Sequence, residues 1–403
     1  MRYRYAVIGG GILGAGVARR LTQVDQGAQV TLLEKEQVLA AHQTGRNSGV
    51  VHAGLYYTPG SFKATLCRRG VHMLEEFCSE HQLPYIKCGK ILAALDAGQR
   101  DRLGDIEDRA RANGVPGIKR LDRDEVREIE PHVRAVAGLH SPSTAIVDYT
   151  AVTQAMVNDA TAAGAVIRVG TEVVAVDQRA DEVVVTTRSG DGANTSEAYD
   201  MVIACAGLHS DRLARMAGDD AKPQIMPFRG EYFRLRPERR NLVRGLIYPV
   251  PDPRYPFLGV HLTPRVDGEV LVGPNAILAM AREGYSWGTV SLPDMREVLT
   301  SPAFRRFARQ HWRTGAREMV GSLSKRRFVA AARQYVPELE VADVLPGPTG
   351  IRAQAVDGDG TLVDDFRINR RGRFVAVRNA PSPAATSSLA IAEHVVDQAL
   401  ELG

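Results

Sequence analysis

The residues with the clearest chemical meaning form a glycine-rich segment near the start of the chain. Gly9-Gly10-Gly11-Ile12-Leu13-Gly14 has the spacing G-x-G-x-x-G, and Glu34 follows about 20 residues later. In such a segment Gly9 permits a tight turn, Gly11 lets the backbone approach a pyrophosphate, and Gly14 lets a helix pack closely on a strand. The start of that helix stabilises phosphate charge, while Glu34 can bind ribose hydroxyls and repels a 2′-phosphate. The segment therefore predicts a dinucleotide site that disfavours NADP.

Two further segments carry many small polar groups. The segment from His42 to Gly54 combines hydroxyls, an amide, one arginine and glycines, and the segment from Asn379 to Ser388 combines small side chains and hydroxyls at a predicted helix start. The first offers donors for a second phosphate and a polar ring. The second would place positive helix-end potential beside a ring that gains charge, such as reduced flavin. Both are typical of an FAD site, although each alone also fits a polar surface loop or an ordinary helix cap.

These segments need regular elements to position them. Periodicity predicts strands over 5–8, 30–33, 166–169, 201–206 and 374–377, and a β-ribbon around 173–176 and 183–187. It predicts helices over 12–24, 60–81, 101–113, 149–163 with Asp148 as the N-cap, 294–335 and from 384 to the end. Strands with proline-rich loops are expected between 222 and 290. The α/β pattern occurs at the start, middle and end of the chain, which predicts two interleaved domains.

Composition excludes several classes of protein. With 403 residues, 44% hydrophobic and 24% charged, the chain is neither disordered nor fibrous. It has no apolar run of about 18 residues, so no membrane-spanning helix is expected, and its first residues do not resemble a signal peptide. The cysteines show no C-x-x-C spacing, which argues against a metal site or a disulfide framework. We therefore expect a soluble cytoplasmic protein.

The excess of positive charge is concentrated in one stretch. Residues 296–333 contain ten basic residues and only two acids, Glu297 and Glu318. The aromatic residues within it are Phe304, Phe307, Trp312 and Phe328. This pattern fits either a surface that rests on anionic lipid and reaches a membrane quinone, or a solvated helical face whose aromatic residues point into the core. Nucleic-acid binding is not expected, because the excess is local and no recognised nucleic-acid fold appears.

The segment Thr44-Gly45-Arg46-Asn47-Ser48-Gly49-Val50-Val51-His52-Ala53-Gly54-Leu55-Tyr56-Tyr57 resembles the signature of the L-2-hydroxyglutarate dehydrogenases/oxidases. That family belongs to the FAD-dependent, D-amino-acid-oxidase-like superfamily. Similar blocks occur at 205–211, 228–233, 248–253, 259–264, 272–276, 350–354 and 379–388. The resemblance runs from one end of the chain to the other, and it is the combination of blocks that makes it specific.

The resemblance implies an α/β fold, with an FAD-binding Rossmann-like domain interleaved with an α+β substrate domain on a mixed β-sheet. The ranges expected are 1–81, 146–221 and 341–403 for the first, and 82–145 and 222–340 for the second. It implies oxidation of L-2-hydroxyglutarate to 2-oxoglutarate by hydride transfer to flavin N5, with quinone or oxygen as the final acceptor. Quinone would place the protein peripherally on the cytoplasmic face of the inner membrane.

Candidate site residues follow from the glycine-rich segment with its acid and from the resemblance to the family. The residues expected to bind the cofactor are Gly9, Gly11, Ile12, Gly14, Glu34, Lys35, Thr44, Arg46, Asn47, Ser48, Val173, Ala206, Gly207, Gly350, Arg352, Pro381, Ser382 and Ala384. A base that works near neutral pH is most simply a histidine, and His52 and His261 are both candidates. Arg229 and Arg352 are candidates for holding the carboxylates of a small dicarboxylate substrate, with Tyr248 and Thr263 as weaker ones.

Two other functions compete with this hypothesis. One keeps the fold but changes the substrate to an amino acid or another small hydroxy acid. The other is a non-catalytic flavin-binding or redox-scaffold protein, whose flavin no small acid would reduce. Anaerobic addition of L-2-hydroxyglutarate distinguishes both alternatives from the oxidation of L-2-hydroxyglutarate, because only an enzyme that oxidises this acid would lose its flavin absorbance.

Overall fold

The computed structural model describes residues 2–220, 222–252, 258–322 and 324–401. The strands are β1 (Arg4–Ile8), β2 (Gln29–Leu33), β3 (Val50–Val51), β4 (Lys90–Ala94), β5 (Lys119–Asp122), β6 (Ala137–Ser141), β7 (Ala145–Ile146), β8 (Val166–Arg168), β9 (Thr171–Gln178), β10 (Val183–Ser189), β11 (Asn194–Tyr199), β12 (Met201–Ala204), β13 (Gln224–Leu235), β14 (Leu246–Pro249), β15 (His261–Pro264), β16 (Val270–Gly273), β17 (Ile277–Leu278), β18 (Val344–Val356), β19 (Arg367–Arg371) and β20 (Phe374–Asn379). The α-helices are α1 (Ile12–Val24), α2 (Phe62–Glu80), α3 (Ala97–Ala112), α4 (Arg123–Ile129), α5 (Tyr149–Ala162), α6 (Ser210–Met216), α7 (Leu292–Thr300), α8 (Pro302–Ser322), α9 (Lys325–Arg333) and α10 (Ser388–Leu400).

The N-terminal β1-α1-β2 unit forms the centre of a six-stranded sheet. The strand order is β19-β20-β12-β1-β2-β8, and all neighbours are parallel except β19 and β20. Tyr5 and Val7 of β1 pack under α1 and α10, whereas Ala6 and Ile8 pack under the ribbon of β9, β10 and β11. Because both faces of the sheet are covered, the sequences of its central strands are continuous apolar runs rather than alternating ones. The predicted α/β class is confirmed.

A second, mixed sheet has nine strands. Its order is β17-β13-β16-β15-β14-β4-β6-β5, and β18 pairs with β13. The neighbours β14 and β4 are parallel, whereas the other pairs are antiparallel. β18 lies inside the range 341–403 that the sequence assigned to the cofactor domain, yet it is hydrogen-bonded into this sheet. The division of the chain into domain ranges stays a prediction.

A buried ion pair connects the elements beside the two sheets. Arg282, which follows β17, donates from Nη1 and Nη2 to Asp211 of α6 at 2.5 and 2.9 Å. Both side chains are almost completely buried. A buried charge is tolerated only when it is paired and hydrogen-bonded, so this contact strongly favours one relative placement. That placement leaves a large cavity between the sheets.

Several helix and strand boundaries in the structure differ from the predicted ones. The charged helix α3 begins at Ala97, because the side chain of Asp96 accepts from the backbone N–H of Gln99 at 2.8 Å. Asp148 is the N-cap of α5, as predicted. The last helix begins at Ser388 rather than near 384, and β11 extends the predicted ribbon to three strands.

The basic stretch forms α8 and α9 with parts of their neighbours. Phe307 and Phe328 are buried, and Phe304 packs against the same core as Phe307. The side chain of Trp312 lies outside the described residues. The described aromatic residues of the stretch therefore face the interior, as the solvated-helix interpretation expects. Among the helices that the structure describes, none is both long and apolar enough to cross a membrane.

Candidate active site

A continuous cavity of about 1730 Å³ lies between the two sheets. One wall is formed by the glycine-rich turn, the segment from His42 to His52 and the segment from Asn379 to Thr386. The other wall is formed by the large sheet, through Gly230, Tyr232, Tyr248, His261 and Arg352. We call these the cofactor wall and the substrate wall. The volume suits a large cofactor together with a small substrate.

The glycine-rich turn brings bare backbone to the cavity. Gly9 has φ +109°, and a Cβ there would lie 2.4 Å from the carbonyl oxygen of Cys205. A Cβ on Gly14 would lie 1.9 Å from the carbonyl oxygen of Gly9, so helix α1 can approach β1 only with glycine at this position. Gly11 is the N-cap of α1 and lines the cavity. The turn thus presents the positive end of α1 to whatever phosphate occupies the cavity.

Glu34 stands at the end of β2 with its carboxylate fixed by backbone groups. Its Oε2 accepts from the N–H of Gly10 at 2.6 Å, and its Oε1 accepts from the N–H of Glu36 at 2.8 Å. Each carboxylate oxygen can accept more than one hydrogen bond. The residue lines the cavity, a position from which it could also reach the hydroxyls of a ribose; that role stays a prediction.

The loop that follows is held by its own side chains. Asn47 donates to the carbonyl oxygens of Gln43 and Thr44 at 3.1 and 2.7 Å, and accepts from the N–H of Gly49 at 2.7 Å. Thr44 Oγ1 accepts from the N–H of Ile12 at 3.1 Å, at the start of α1. The loop is therefore pre-organised against the glycine-rich turn.

Two predicted cofactor residues lie at the rim, where they contact the loop after β17. Lys35 forms an ion pair with Glu283 at 2.8 Å, and a second with Glu36. Arg46 lies 4.1 Å from the ring centre of Tyr285. Both cationic groups already have protein partners, so their part in binding a cofactor would be to close the rim around it.

Most of the remaining cofactor candidates line the cavity. They are Ile12, Ser48, Val173, Ala206, Gly207, Gly350, Arg352, Ser382 and Ala384. Gly14 and Pro381 are not among the lining residues; Gly14 acts through packing instead. Gly350 is needed because a Cβ there would lie 2.3 Å from the carbonyl oxygen of Arg46. The glycine cradle, the helix end and the fixed carboxylate match the adenine dinucleotide part of FAD.

The two arginines predicted to bind substrate lie on opposite faces of the large sheet. Phe228, Gly230 and Tyr232 of β13 line the cavity, so Arg229 points to the other side because side chains alternate along a strand. There Arg229 pairs with Glu231 at 3.1 Å and lies 4.3 Å from the ring centre of Trp287. The structure does not bring Arg229 to the cavity, so its role in binding substrate stays a prediction that this geometry does not favour.

Arg352 lies on the cavity side. It is opposite Phe228 in the antiparallel pair of β18 and β13, and opposite residues in such a pair share a face. Solvent reaches its side chain through the cavity, while the surrounding protein lowers the pKa of its guanidinium. Arg352 can therefore meet a carboxylate in the cavity.

The two candidate histidines both line the cavity, from opposite walls. His261 Nδ1 lies 3.0 Å from the carbonyl oxygen of Gly259, and its ring lies 4.0 Å from that of Tyr248. His52 Nε2 lies 3.3 Å from the hydroxyl of Ser382, and its Nδ1 is buried with no hydrogen-bond partner among the described residues. Burial lowers the pKa of His261 to about 4, with Lys90 and Arg352 adding to the effect. Burial and the same two charges also lower the pKa of His52.

Tyr248 and Thr263, the weaker candidates for binding substrate, differ in whether they line the cavity. Tyr248 lines the cavity, and burial raises the pKa of its phenol. Thr263 is buried and does not line the cavity, and its hydroxyl has no hydrogen-bond partner among the described residues. The structure therefore places Tyr248, but not Thr263, where it could touch a substrate.

Sequence reasoning missed two residues beside the substrate wall: Tyr56, which lines the cavity, and Lys90, which stands behind Tyr56 and Tyr248. Lys90 is buried at the start of β4, and its Nζ lies 3.4 Å from the hydroxyl of Tyr56, which lines the cavity. A signal was present, since Lys90 is one of few lysines and is followed directly by the apolar run Ile91-Leu92-Ala93-Ala94. Lysine is rarely buried without a partner, so a lysine at the start of a buried strand indicates a specific role.

Comparison with known proteins gives the family. The model of the FAD dependent oxidoreductase family matches residues 4–398. The chain is 44% identical over 396 residues to L-2-hydroxyglutarate dehydrogenase of Escherichia coli (strain K12), covering 98% of this chain and 93% of that one. It is 42% identical over 405 residues to the mitochondrial L-2-hydroxyglutarate dehydrogenase of Caenorhabditis elegans, covering 99% and 93%.

Solved structures share the fold. The L-alpha-glycerophosphate oxidase from Mycoplasma pneumoniae, solved with FAD bound, superimposes with a TM-score of 0.80 at 22% identity, covering 99% of this chain and 95% of that one. Glycine oxidase from Bacillus cereus superimposes with a TM-score of 0.71 at 18% identity, covering 100% and 96%. The expected fold, cofactor class and family resemblance are confirmed. The chain belongs to the FAD dependent oxidoreductase family and, within it, to the L-2-hydroxyglutarate dehydrogenases.

Proposed function

We propose that this protein oxidises L-2-hydroxyglutarate to 2-oxoglutarate with FAD as its cofactor. One observation carries the proposal: a wall built to hold a dinucleotide faces a wall that offers a histidine and cationic side chains, across one continuous cavity. The relatives at 41–45% identity are named for the same substrate. Arg352 and the two histidines provide what a hydroxy acid needs, namely a partner for a carboxylate and an acceptor for the hydroxyl proton.

The chemistry divides between cofactor and protein. FAD, when bound, supplies the group that accepts the hydride from the carbinol carbon. The protein must fix the substrate carboxylate, take the proton from the hydroxyl and keep water away. Arg352 is suited to the first task because a guanidinium can bind a carboxylate through two parallel hydrogen bonds.

Among the two histidines, we propose that His261 is the base. A carbonyl oxygen only accepts, so the contact with Gly259 places the proton of a neutral His261 on Nδ1 and leaves the lone pair on Nε2. The tautomer needed for accepting a proton is thus held by the fold. His52 has no such constraint, and its backbone N–H binds Thr386 of the cofactor wall at 3.1 Å. His52 is the second candidate, and it belongs to the cofactor wall.

The charge of the substrate would help the base. In the free protein Lys90 and Arg352 lower the pKa of His261, after the larger effect of burial. A dianionic substrate brings negative charge into the same space, which raises the pKa of a nearby histidine. The base would therefore become stronger when its substrate arrives.

The test is the absorbance spectrum of the purified protein before and after anaerobic addition of L-2-hydroxyglutarate. The proposal expects bleaching of the flavin band by the L but not the D enantiomer. Reduction by glutamate, glycine or glycerol 3-phosphate instead would favour another small substrate. A yellow protein that no small acid bleaches would be a flavin-binding scaffold, and the proposal would be wrong.

For the electron acceptor, sequence left quinone and oxygen open, and we propose a membrane quinone. The support is a set of exposed apolar residues before and at the start of the basic stretch: Trp287, Val290, Leu292 and Leu299. Leu292 and Leu299 are 76% and 51% exposed and share one face of α7 with Arg296. Apolar residues flanked by arginines suit an anionic lipid surface.

Sedimentation with vesicles that contain anionic lipid tests this contact. The wild type should bind at low ionic strength and release as salt is raised, and the double substitution Leu292→Glu with Leu299→Glu should abolish binding. If the wild type does not bind at low salt, the membrane contact is wrong and oxygen becomes the acceptor to test.

A further inference from the structure

Lys90 is a buried positive charge next to the substrate wall. It is 1% exposed. Its Nζ lies 3.4 Å from the hydroxyl oxygen of Tyr56 and 4.3 Å from the ring centre of Tyr248. Both tyrosines line the cavity, whereas Lys90 itself stands behind them. Among the described residues no carboxylate forms an ion pair with Lys90.

The groups that face Lys90 from the surrounding elements carry no compensating charge near neutral pH. They are Tyr56, Cys67 of α2, Cys88 before β4, Tyr248 of β14, His261 of β15 and His52. Burial raises the pKa of both tyrosines, of Cys67 to about 12 and of Cys88 to about 11, so these groups stay neutral. Burial lowers the pKa of both histidines, so these stay neutral as well.

A buried ammonium without a negative partner is unfavourable. The same burial lowers the pKa of Lys90 to about 8, which leaves it charged at neutral pH. A second cation, Arg352, stands on β18 close enough to act on both of the same histidines. Because no carboxylate among the described residues pairs with Lys90, the negative charge that would stabilise it is left for a ligand in the cavity to supply.

The direction of the hydrogen bond between Lys90 and Tyr56 shows how Lys90 can act on a ligand that it does not touch. An ammonium group only donates, so the hydroxyl oxygen of Tyr56 is the acceptor in the contact with Lys90. The hydroxyl hydrogen of Tyr56 is then left to be donated to a third group. Tyr56 lines the cavity, so its hydroxyl can donate to an oxygen atom of a ligand there. The positive charge of Lys90 behind it favours a ligand oxygen that is anionic.

We propose that Tyr56 and Lys90 form the site for the second carboxylate of the substrate, with Tyr56 donating the hydrogen bond and Lys90 supplying the charge behind it. The proposal rests on the proposed function and on Arg352 holding the other carboxylate. It makes Tyr56 a substrate-binding residue and Lys90 a positioning residue. Together they select a dicarboxylate over a monocarboxylate of the same length.

The test compares L-2-hydroxyglutarate with L-2-hydroxypentanoate, which lacks the second carboxylate. The measured quantity is the ratio of kcat/KM for the diacid to kcat/KM for the monoacid. Tyr56→Phe should lower this ratio about tenfold and Lys90→Met about thirtyfold or more, mainly through KM for the diacid. The double variant should lose less than the product of the two single losses, because Lys90 acts through Tyr56.

Matched controls separate charge from structure. Lys87→Met makes the same change at an exposed lysine that pairs with Glu75, and should leave the ratio unchanged. Lys90→Met replaces a buried charge by an apolar chain of similar length, so its melting temperature should equal or exceed that of the wild type. Calorimetric titration with glutarate, which does not react, should show the same loss of affinity in Tyr56→Phe as the kinetics do.

The pH profile gives an independent readout. In the free enzyme, selectivity for the diacid should fall as the pH rises through about 8, because Lys90 loses its proton there. In Lys90→Met this fall should be absent. The other groups facing Lys90 do not titrate in that window.

The outcomes are distinguishable from failure of the proposed function. If the wild type binds FAD but does not oxidise L-2-hydroxyglutarate, the function is wrong. If the wild type oxidises it, but Tyr56→Phe and Lys90→Met affect both substrates equally, the function stands and the carboxylate site is wrong. If Lys90→Met does not fold, Tyr56→Phe decides alone, since it removes a single oxygen atom.

Discussion

The two walls of the cavity present different chemical groups to it. The cofactor wall presents backbone: glycines without Cβ atoms, the N–H groups that open α1, and a carboxylate that two backbone N–H groups hold. The substrate wall presents side chains from separate strands, among them Tyr248 of β14, His261 of β15 and Arg352 of β18. The first depends on consecutive residues, and the second on which strands become neighbours. We therefore expect substitutions in the cofactor wall to reduce FAD binding, and substitutions in the substrate wall to change kcat or KM while FAD stays bound.

The largest effect should come from Gly14→Ala in the cofactor wall. The new Cβ would lie 1.9 Å from the carbonyl oxygen of Gly9, so α1 must move away from β1 and the phosphate cradle is lost. We expect loss of nearly all bound FAD, measured as flavin absorbance per protein, and a lower melting temperature. Gly27→Ala is the control, since the nearest atom there is 3.9 Å away. Full flavin content in Gly14→Ala would contradict the assignment of the cradle.

The next effect should come from His261→Asn in the substrate wall. Loss of a general base should lower kcat by about 10²- to 10⁴-fold while FAD stays bound. His52→Asn should lower kcat less, by about tenfold. The reverse order would make His52 the base.

The same histidine sets a pH dependence. Since its pKa in the free enzyme lies near 4, His261 is neutral and able to accept a proton at higher pH. We expect kcat/KM for the wild type to hold as the pH falls from 7 to about 5 and to decline below that. A decline that begins near pH 6.5 would show that the base keeps an ordinary histidine pKa.

A smaller effect separates the two faces of the large sheet. Arg352→Met should raise KM for L-2-hydroxyglutarate about 30- to 100-fold, because a charge-assisted contact to a carboxylate is lost. Arg229→Met should leave KM unchanged and lower the melting temperature, because it leaves Glu231 without its ion pair. An unchanged KM in Arg352→Met would rule out its role as a carboxylate clamp.

The smallest effect should come from Glu34→Gln in the cofactor wall. Both carboxylate oxygens accept backbone N–H groups, and a glutamine would present an NH₂ group to one of them. We expect FAD affinity to fall about tenfold, measured by titrating apoprotein with FAD. Glu80→Gln, at an exposed position, is the control. An equal loss in both variants would show a general effect of charge instead.

Much of the cofactor wall could be predicted because its signals are local. Strand β1, helix α1 and strand β2 begin and end within one residue of the expected positions, and Asp148 caps α5 as expected. Glycine spacing, an acid at the end of the next strand and an N-cap each act over a few residues, so sequence order carries them. The helix starts that moved, at Ala97 and Ser388, did so by only a turn.

The substrate wall needed the tertiary structure. Arg229 and Arg352 sit in equally plausible blocks, and only the register of β13 with β18 decides that Arg352 faces the cavity. Lys90 becomes meaningful only when β4 lies beside β14 and brings it under Tyr248. Sequence alone determined that a dinucleotide cradle exists, because that is a property of adjacent residues. Which side chains converge opposite it was decided by strand pairing, because a shift of one residue turns every side chain to the other face.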